Sequence, residues 1–389
     1  MQLDFHYYAT YCAAYLAGYD HEESLAIAYA DQFTDCCSRT LLRKLKAPRA
    51  AATTQLQTEL INEDTGLISL QNITRIWAPF HFLPQDLYAK HPKRPKRYMN
   101  KYRLICGPNG ALLADTVMLA KGKSLQAVGT AMHILADTWA HRYFAGTPSA
   151  VINNTNPYFY EILRADKTET ERKISFRHNP AAADDPEKGI YTASVRQENE
   201  ISIMNLGHGR AGHLPDYSFA RYKYMPAWGD YEVIVKDNPS DYYRAFTQMV
   251  YAMKYLRGEY GEFETDVYDT TSVAPWEDTI RGILEKRRCD SCADWKAFGE
   301  KLSGQTIEDF DMDKYQMEYL TAVGDAKDET FLGRYFIAAM AQKSMVTHKI
   351  FESGNILAGL SVDYRRKGFK GIRDFRKLIE RYGGERRGE

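Results

Sequence analysis

Three polar residues recur at four-residue steps inside an apolar stretch: His133, Asp137 and His141 in SLQAVGTAMHILADTWAHRYF, residues 124–144. At 3.6 residues per turn they fall within about 80° on one helix face. The rest of that stretch, including Leu125, Ile134, Leu135 and Trp139, is strongly apolar, so the stripe is expected to be buried. Buried imidazoles and carboxylates must be satisfied. One metal centre would satisfy all three groups, and Asp137, one turn from each histidine, could bridge two ions. A hydrogen-bonded seam between helices is the competing reading. The spacing predicts a helix from Ser124 to Phe144, closed by Gly146.

The remaining chemistry gathers around other histidines. LGHGRAGHLPD, residues 206–216, places His208, His213 and Asp216 in a glycine-rich stretch of the kind that shapes ligand loops. His6 lies in the aromatic segment DFHYYATYCAAYLA, and His81 in APFHFLP. Asp31 and Asp35 close a helix one turn apart. His/Asp sets without paired cysteines suit Zn²⁺, with Mn²⁺ or Fe²⁺ as alternatives. Cys289 and Cys292 form a single CxxC with no second pair, and six cysteines are too few for a disulfide scaffold. No phosphate-binding P-loop, G-x-S-x-G elbow or H-E-x-x-H motif occurs.

Punctuation along the chain favours helices. Residues 4–17 form a buried helix that ends at Gly18. Asp20 and Glu23 make a capping box for a helix to about Phe33, and a third helix runs from Ser38 to before Pro48. Pro79, Pro84 and Pro92 break residues 62–92. Asp241–Arg257, with Ser240 as N-cap, and segments 276–288, 292–303 and 328–351 are helical. Residues 165–200 are a long polar excursion, and the best strand is Tyr231–Lys236. The expected class is all-α: a multi-helix bundle with a clustered metal site and minor β content. A helical metal-binding domain, 1–260, carries a C-terminal helical extension, 261–389, packed on it.

Charge gives little direction, because 51 basic residues balance 51 acidic ones. Locally, Lys90, Lys93, Arg94, Lys96, Arg97, Lys101 and Arg103 accumulate with no acid between Leu87 and Ala114, either as an anion-binding face or as a solvated loop. The last 25 residues hold ten Lys or Arg against four Asp or Glu, a basic tail. No apolar run reaches the ~18–20 residues of a membrane span, and MQLDFHYYAT lacks a secretory signal pattern. A cytoplasmic protein is expected.

The order of these elements resembles the zinc-dependent phospholipase C and single-strand nuclease superfamily, an all-helical fold with a clustered metal site. Its hallmark is H-x-x-x-D followed shortly by another His, matched by AMHILADTWAH. DFHYYATY and LGHGRAGHLPDYSF are also similar to an uncharacterised bacterial family associated with it. The resemblance covers residues 1–260. It implies a zinc site of two or three ions drawn from His6, Asp31 or Asp35, His81, His133, Asp137, His141, His208 or His213, and Asp216. The four-residue step from Asp137 to His141 is closer to the H-x-x-x-D-x-x-x-H relatives, such as the fungal heterokaryon-incompatibility proteins, than to the phospholipases. In secreted members, processing exposes an N-terminal amine that binds metal, and here no signal precedes His6.

The expected function is a metal-dependent phosphoester hydrolase. Asp137 would bridge metals, Asp35 (or failing that Asp31) would orient and deprotonate the attacking water, and the basic run would draw a phosphate-containing substrate: lipid headgroup, nucleotide or nucleic acid. The alternative is a non-catalytic helical interaction protein with a structural metal cluster. A lipid-surface binder using the basic tail is a third reading.

Overall fold

The computed structural model describes residues 1–61, 67–91, 94–165, 168–179, 182–193 and 205–358. The basic tail and Lys93 lie outside them. The central element is the helix Leu125–Ala140, in which every residue from Gln126 to Ala140 is buried. Its nearest neighbour is the helix His21–Cys36, opened by the expected capping box: Asp20 accepts from Glu23 N–H, and Glu23 from Asp20 N–H. Gly129 allows that contact. A Cβ there would sit 2.3 Å from the Ile27 carbonyl oxygen and 2.9 Å from Asp31 N. The missing side chain draws the two helices together at the level of Asp31.

A π-helical turn, Asp4–Ala9, runs into the helix Thr10–Leu16 and packs on the same pair. The helices Asn238–Leu256, Cys292–Ser303 and Phe331–Glu352 enclose the centre. One apolar cluster runs from Met1 to Ala358 and includes Phe33, Trp139, Phe246, Trp295 and Tyr335, so residues beyond 261 share the core of those before it.

The fold is helix-rich, and the minor β content expected beside the helices forms a four-stranded sheet and a short two-stranded one. Strands β1 (Thr155–Ala165), β2 (Thr168–Lys173), β5 (Arg221–Pro226) and β6 (Ile234–Asp237) form an antiparallel sheet in the order β2-β1-β5-β6. Short strands β3 (Ser175–Arg177) and β4 (Ile190–Thr192) pair in parallel. Part of the polar excursion is therefore strand, and residues 166–167, 180–181 and 194–200 of it lie outside the described residues. The signal was missed because β2, TETERK, is an edge strand exposed nearly throughout, without the apolar alternation that marks a strand. A second apolar cluster, with Phe82, Phe144, Phe159, Tyr191 and Tyr224, lies under the sheet. Buried Glu161 of β1 is held by Arg172, Arg287 and the Tyr191 hydroxyl, which ties sheet to helices.

Several helix boundaries also differ. The central helix stops at Ala140 rather than Phe144. Cys106 pairs with the chain just beyond, its N–H to Phe144 O and its carbonyl from Tyr143 N–H, and Tyr143 sits at φ +83°. The helix Leu67–Phe80 carries Pro79 in its last turn instead of breaking there. Among the described residues no helix is long and apolar enough to cross a membrane.

Candidate metal centre

The central helix presents His133 and Asp137 along one buried face, and His141 closes its C-terminus by donating its N–H to the Asp137 carbonyl. Beneath the sheet, Lys236 of β6 donates to the Trp139 carbonyl and to Asp241, fixing the same helix end from the other side. The capped helix brings Asp31 and Asp35, the N-terminal turn brings His6, and the end of helix Leu67–Phe80 brings His81.

Four of these atoms form one compact set. His81 Nδ1 lies 3.2 Å from Asp137 Oδ2, 3.2 Å from His133 Nε2 and 3.6 Å from Asp35 Oδ1. His133 Nε2 lies 3.3 Å from Asp137 Oδ2 and 3.9 Å from Asp35 Oδ1. A tetrahedral ion with bonds of about 2.0–2.2 Å places its ligand atoms about 3.3–3.6 Å apart; four of these five separations lie at or near that spacing and the fifth, His133 to Asp35, is longer. The far ring nitrogen of His81 bonds the Thr53 carbonyl at 3.0 Å. A carbonyl only accepts, so that nitrogen carries the proton and Nδ1 is left as a lone pair.

A second set forms around Asp216. His141 Nε2 is 3.1 Å and His208 Nε2 3.5 Å from Asp216 Oδ1. Both rings are anchored through Nδ1, His141 to the His81 carbonyl and His208 to the Gly212 carbonyl, each at 2.7 Å. Loop geometry here depends on asparagines: Asn238 Nδ2 donates to the carbonyls of Leu214 and Tyr217, and Asn153 Nδ2 to those of Ala145, Thr147 and Asn205. His213 stands apart. Its side chain is 55% exposed and meets the other oxygen of Asp216 at 3.0 Å, so it props Asp216 from outside and is not part of the inner set.

A third group gathers at the N-terminal amine, which the expected ligand set leaves out. The buried Met1 amine lies 2.9 Å from Asp137 Oδ1, 3.4 Å from Asp216 Oδ1 and 3.4 Å from His141 Nε2. His6 Nε2 approaches the same Asp137 oxygen at 3.3 Å. No local motif signals a terminal amine as a site group, and only the tertiary fold brings it there.

Electrostatics mark the place as one that calls for cations. Burial alone would lower the amine's pKa, yet Asp137 and Asp216 raise it to about 11. Burial likewise works against a charged His133, but Asp137 and Asp35 raise it to about 10. Against burial, Asp137 is held well below the usual carboxylate range by His141, the amine and His133, and Asp216 by His208 and the amine. Both ring nitrogens of buried His6 face carboxylate oxygens, Nδ1 at 2.7 Å from Asp31 Oδ1 and Nε2 at 3.3 Å from Asp137 Oδ1. Several imidazole nitrogens converging on a few anionic carboxylates in a buried space fit a bound cation better than a self-contained polar seam. Most of the cluster is closed to solvent; Asp35, 32% exposed, and His208, 18% exposed, are its most accessible members.

The basic run contributes less than expected. Arg94 pairs with Asp230, Lys101 is buried, and Arg103 donates to the Ala89 carbonyl, while Lys90 and Lys96 stay exposed.

Fold and site together define a helix-rich protein with buried His/Asp groups that could hold metal ions. The chain belongs to the family of unknown function DUF6765, which it matches over residues 1–350. No curated protein and no solved structure matches it.

Proposed function

We propose that this chain is a metal-dependent phosphoester hydrolase. The observation that carries the metal half of this reading is the compact buried set of His81 Nδ1, His133 Nε2, Asp35 Oδ1 and Asp137 Oδ2. His141, His208 and Asp216 would hold a second ion, and His6, the Met1 amine and Asp137 Oδ1 a third. The donor set suits Zn²⁺ first, then Mn²⁺ or Fe²⁺. The phosphoester half rests on the resemblance of AMHILADTWAH and its companion histidines to the phospholipase C and nuclease superfamily.

Bound ions of this kind lower the pKa of a water and offset charge on phosphate oxygens. The chain's own part is positioning. Asp35 is the carboxylate that reaches solvent, so it can orient an entering water and accept its proton. Anchored Nδ1 positions on His141 and His208, and the anchored Nε2 of His81, keep the inward nitrogens aimed without reorganisation. Phe82, stacked on His141 with ring centroids 4.7 Å apart, keeps water from that side.

Burial of most of the cluster favours a second reading, a structural centre in an interaction protein. Metal analysis of the purified protein, beside Asp137→Asn, separates the two. The hydrolase reading expects two or more equivalents, lost in the variant together with phosphodiester turnover while the helical fold persists. A single equivalent whose removal melts the protein supports the structural centre. Full turnover in metal-poor Asp137→Asn would sink the hydrolase.

A further inference from the structure

Asp31 and Asp35 sit one turn apart beside the same histidines, and Asp31, His6 and His133 are close enough to form a ligand set of their own. The distances argue against that set. Asp31 Oδ1 lies 2.7 Å from His6 Nδ1 and 3.1 Å from His133 Nδ1. The 2.7 Å contact is a hydrogen-bond or ion-pair separation, well short of the ~3.3–3.6 Å between neighbouring ligands of a tetrahedral ion, and His133 meets Asp31 through the ring nitrogen opposite the one that meets Asp137. The other oxygen of Asp31 accepts from the Thr10 hydroxyl at 2.7 Å.

We infer that Asp31 is a shared anchor for two imidazoles, not a ligand, and that Asp35 alone of the pair supplies a ligand oxygen; the inference rests on the metal-centre reading above. The two rings are stacked, with centroids 4.0 Å apart and planes 22° from parallel, so both turn the Nδ1 edge toward Asp31. Both therefore turn Nε2 the other way, and each meets a different oxygen of Asp137 at 3.3 Å. One carboxylate stands behind the pair and another in front. An imidazole nitrogen that faces a carboxylate as N–H cannot also offer a lone pair to an ion, so Asp31 selects the tautomer that leaves Nε2 free. Its negative charge also makes those nitrogens stronger donors. Thr10 fixes the carboxylate plane, and complete burial keeps Asp31 from exchanging with water. Asp35, on the solvent side, faces the inward nitrogens of His6, His81 and His133. Asp31 is thus a positioning residue and Thr10 its support.

Zn²⁺ titration of the chelator-stripped full chain tests this, with Co²⁺ absorption as a spectroscopic readout. Asp31→Asn should bind the wild-type number of ions, each affected site about 10–100-fold weaker, with the Co²⁺ band shape retained. Asp35→Asn should lose one equivalent at saturation and change the Co²⁺ spectrum. Loss of a full equivalent in Asp31→Asn, with full occupancy in Asp35→Asn, would overturn the assignment while leaving the metal centre standing. A wild-type chain that binds no metal would overturn the centre itself, and the inference with it. Should Asp31→Asn fail to fold by circular dichroism, Thr10→Val carries the test: weakened affinity at unchanged stoichiometry supports the anchor, and unchanged affinity overturns it.

Discussion

The two halves of the centre are built by different means. On one side, helices Leu125–Ala140 and His21–Cys36 deliver His133, Asp137, Asp31 and Asp35 by periodicity, and their approach is set by backbone contact at Gly129. On the other side, residues 205–217 deliver His208 and Asp216 from short 3₁₀ turns, held by asparagine side chains that bond backbone carbonyls. A helix places ligands through hydrogen bonds it would make anyway. A loop needs dedicated bonds, and each of those can be removed singly. Changes that displace backbone in the helical half should therefore disturb site and fold together, and those in the loop half chiefly the site.

The variant expected to have the largest effect on that contrast is His208→Ala. It removes one donor of the Asp216 set and should release one metal equivalent and most turnover, with little change in melting temperature; elemental analysis and thermal denaturation read both. If it also released the ions held by His81 and His133, the halves would not be separable. Next is Gly129→Ala. Its Cβ meets backbone, so the helices must move apart, at a cost of about 1–3 kcal/mol for an overpacked contact. Denaturant unfolding should show that loss, and metal should weaken first at the His6, Asp35 and His133 side. Asn238→Ala removes the side-chain donor of the Leu214 carbonyl and one of the two donors of the Tyr217 carbonyl, and should cost about 1–3 kcal/mol. It should loosen the Asp216 site alone, and equal weakening of all ions would blur the comparison. The smallest effect belongs to His213→Ala. An exposed prop on Asp216 should leave metal stoichiometry intact and lower affinity by no more than about tenfold.

The same contrast governs what could be read without coordinates. The i, i+4, i+8 stripe of His133, Asp137 and His141 was legible because helical period converts spacing into a shared face, and the capping box at Asp20 and Glu23 was legible as local chemistry. Which of Asp31 and Asp35 faces the centre was not, because both lie within 40° on their helix and only their neighbours differ. His213 and His208 share one motif, and turn geometry at Gly212, φ +56°, separates them. The sheet escaped because β2 is polar on both faces. The Met1 amine stayed outside the expected set because that expectation tied a terminal-amine ligand to signal removal, and only the fold shows this amine beside Asp137.

Asp137 has a further mechanical consequence. Its two oxygens face different neighbours, Oδ1 toward the amine and His6, Oδ2 toward His81 and His133. The carboxylate group turns as a rigid plane about a single bond. Any rotation that improves the angle on one side spoils it on the other, so the two sides share one degree of freedom. Tuning this centre for a different ion on one side therefore requires compensating changes on the other, and a library that varies one side alone would return mostly compromises.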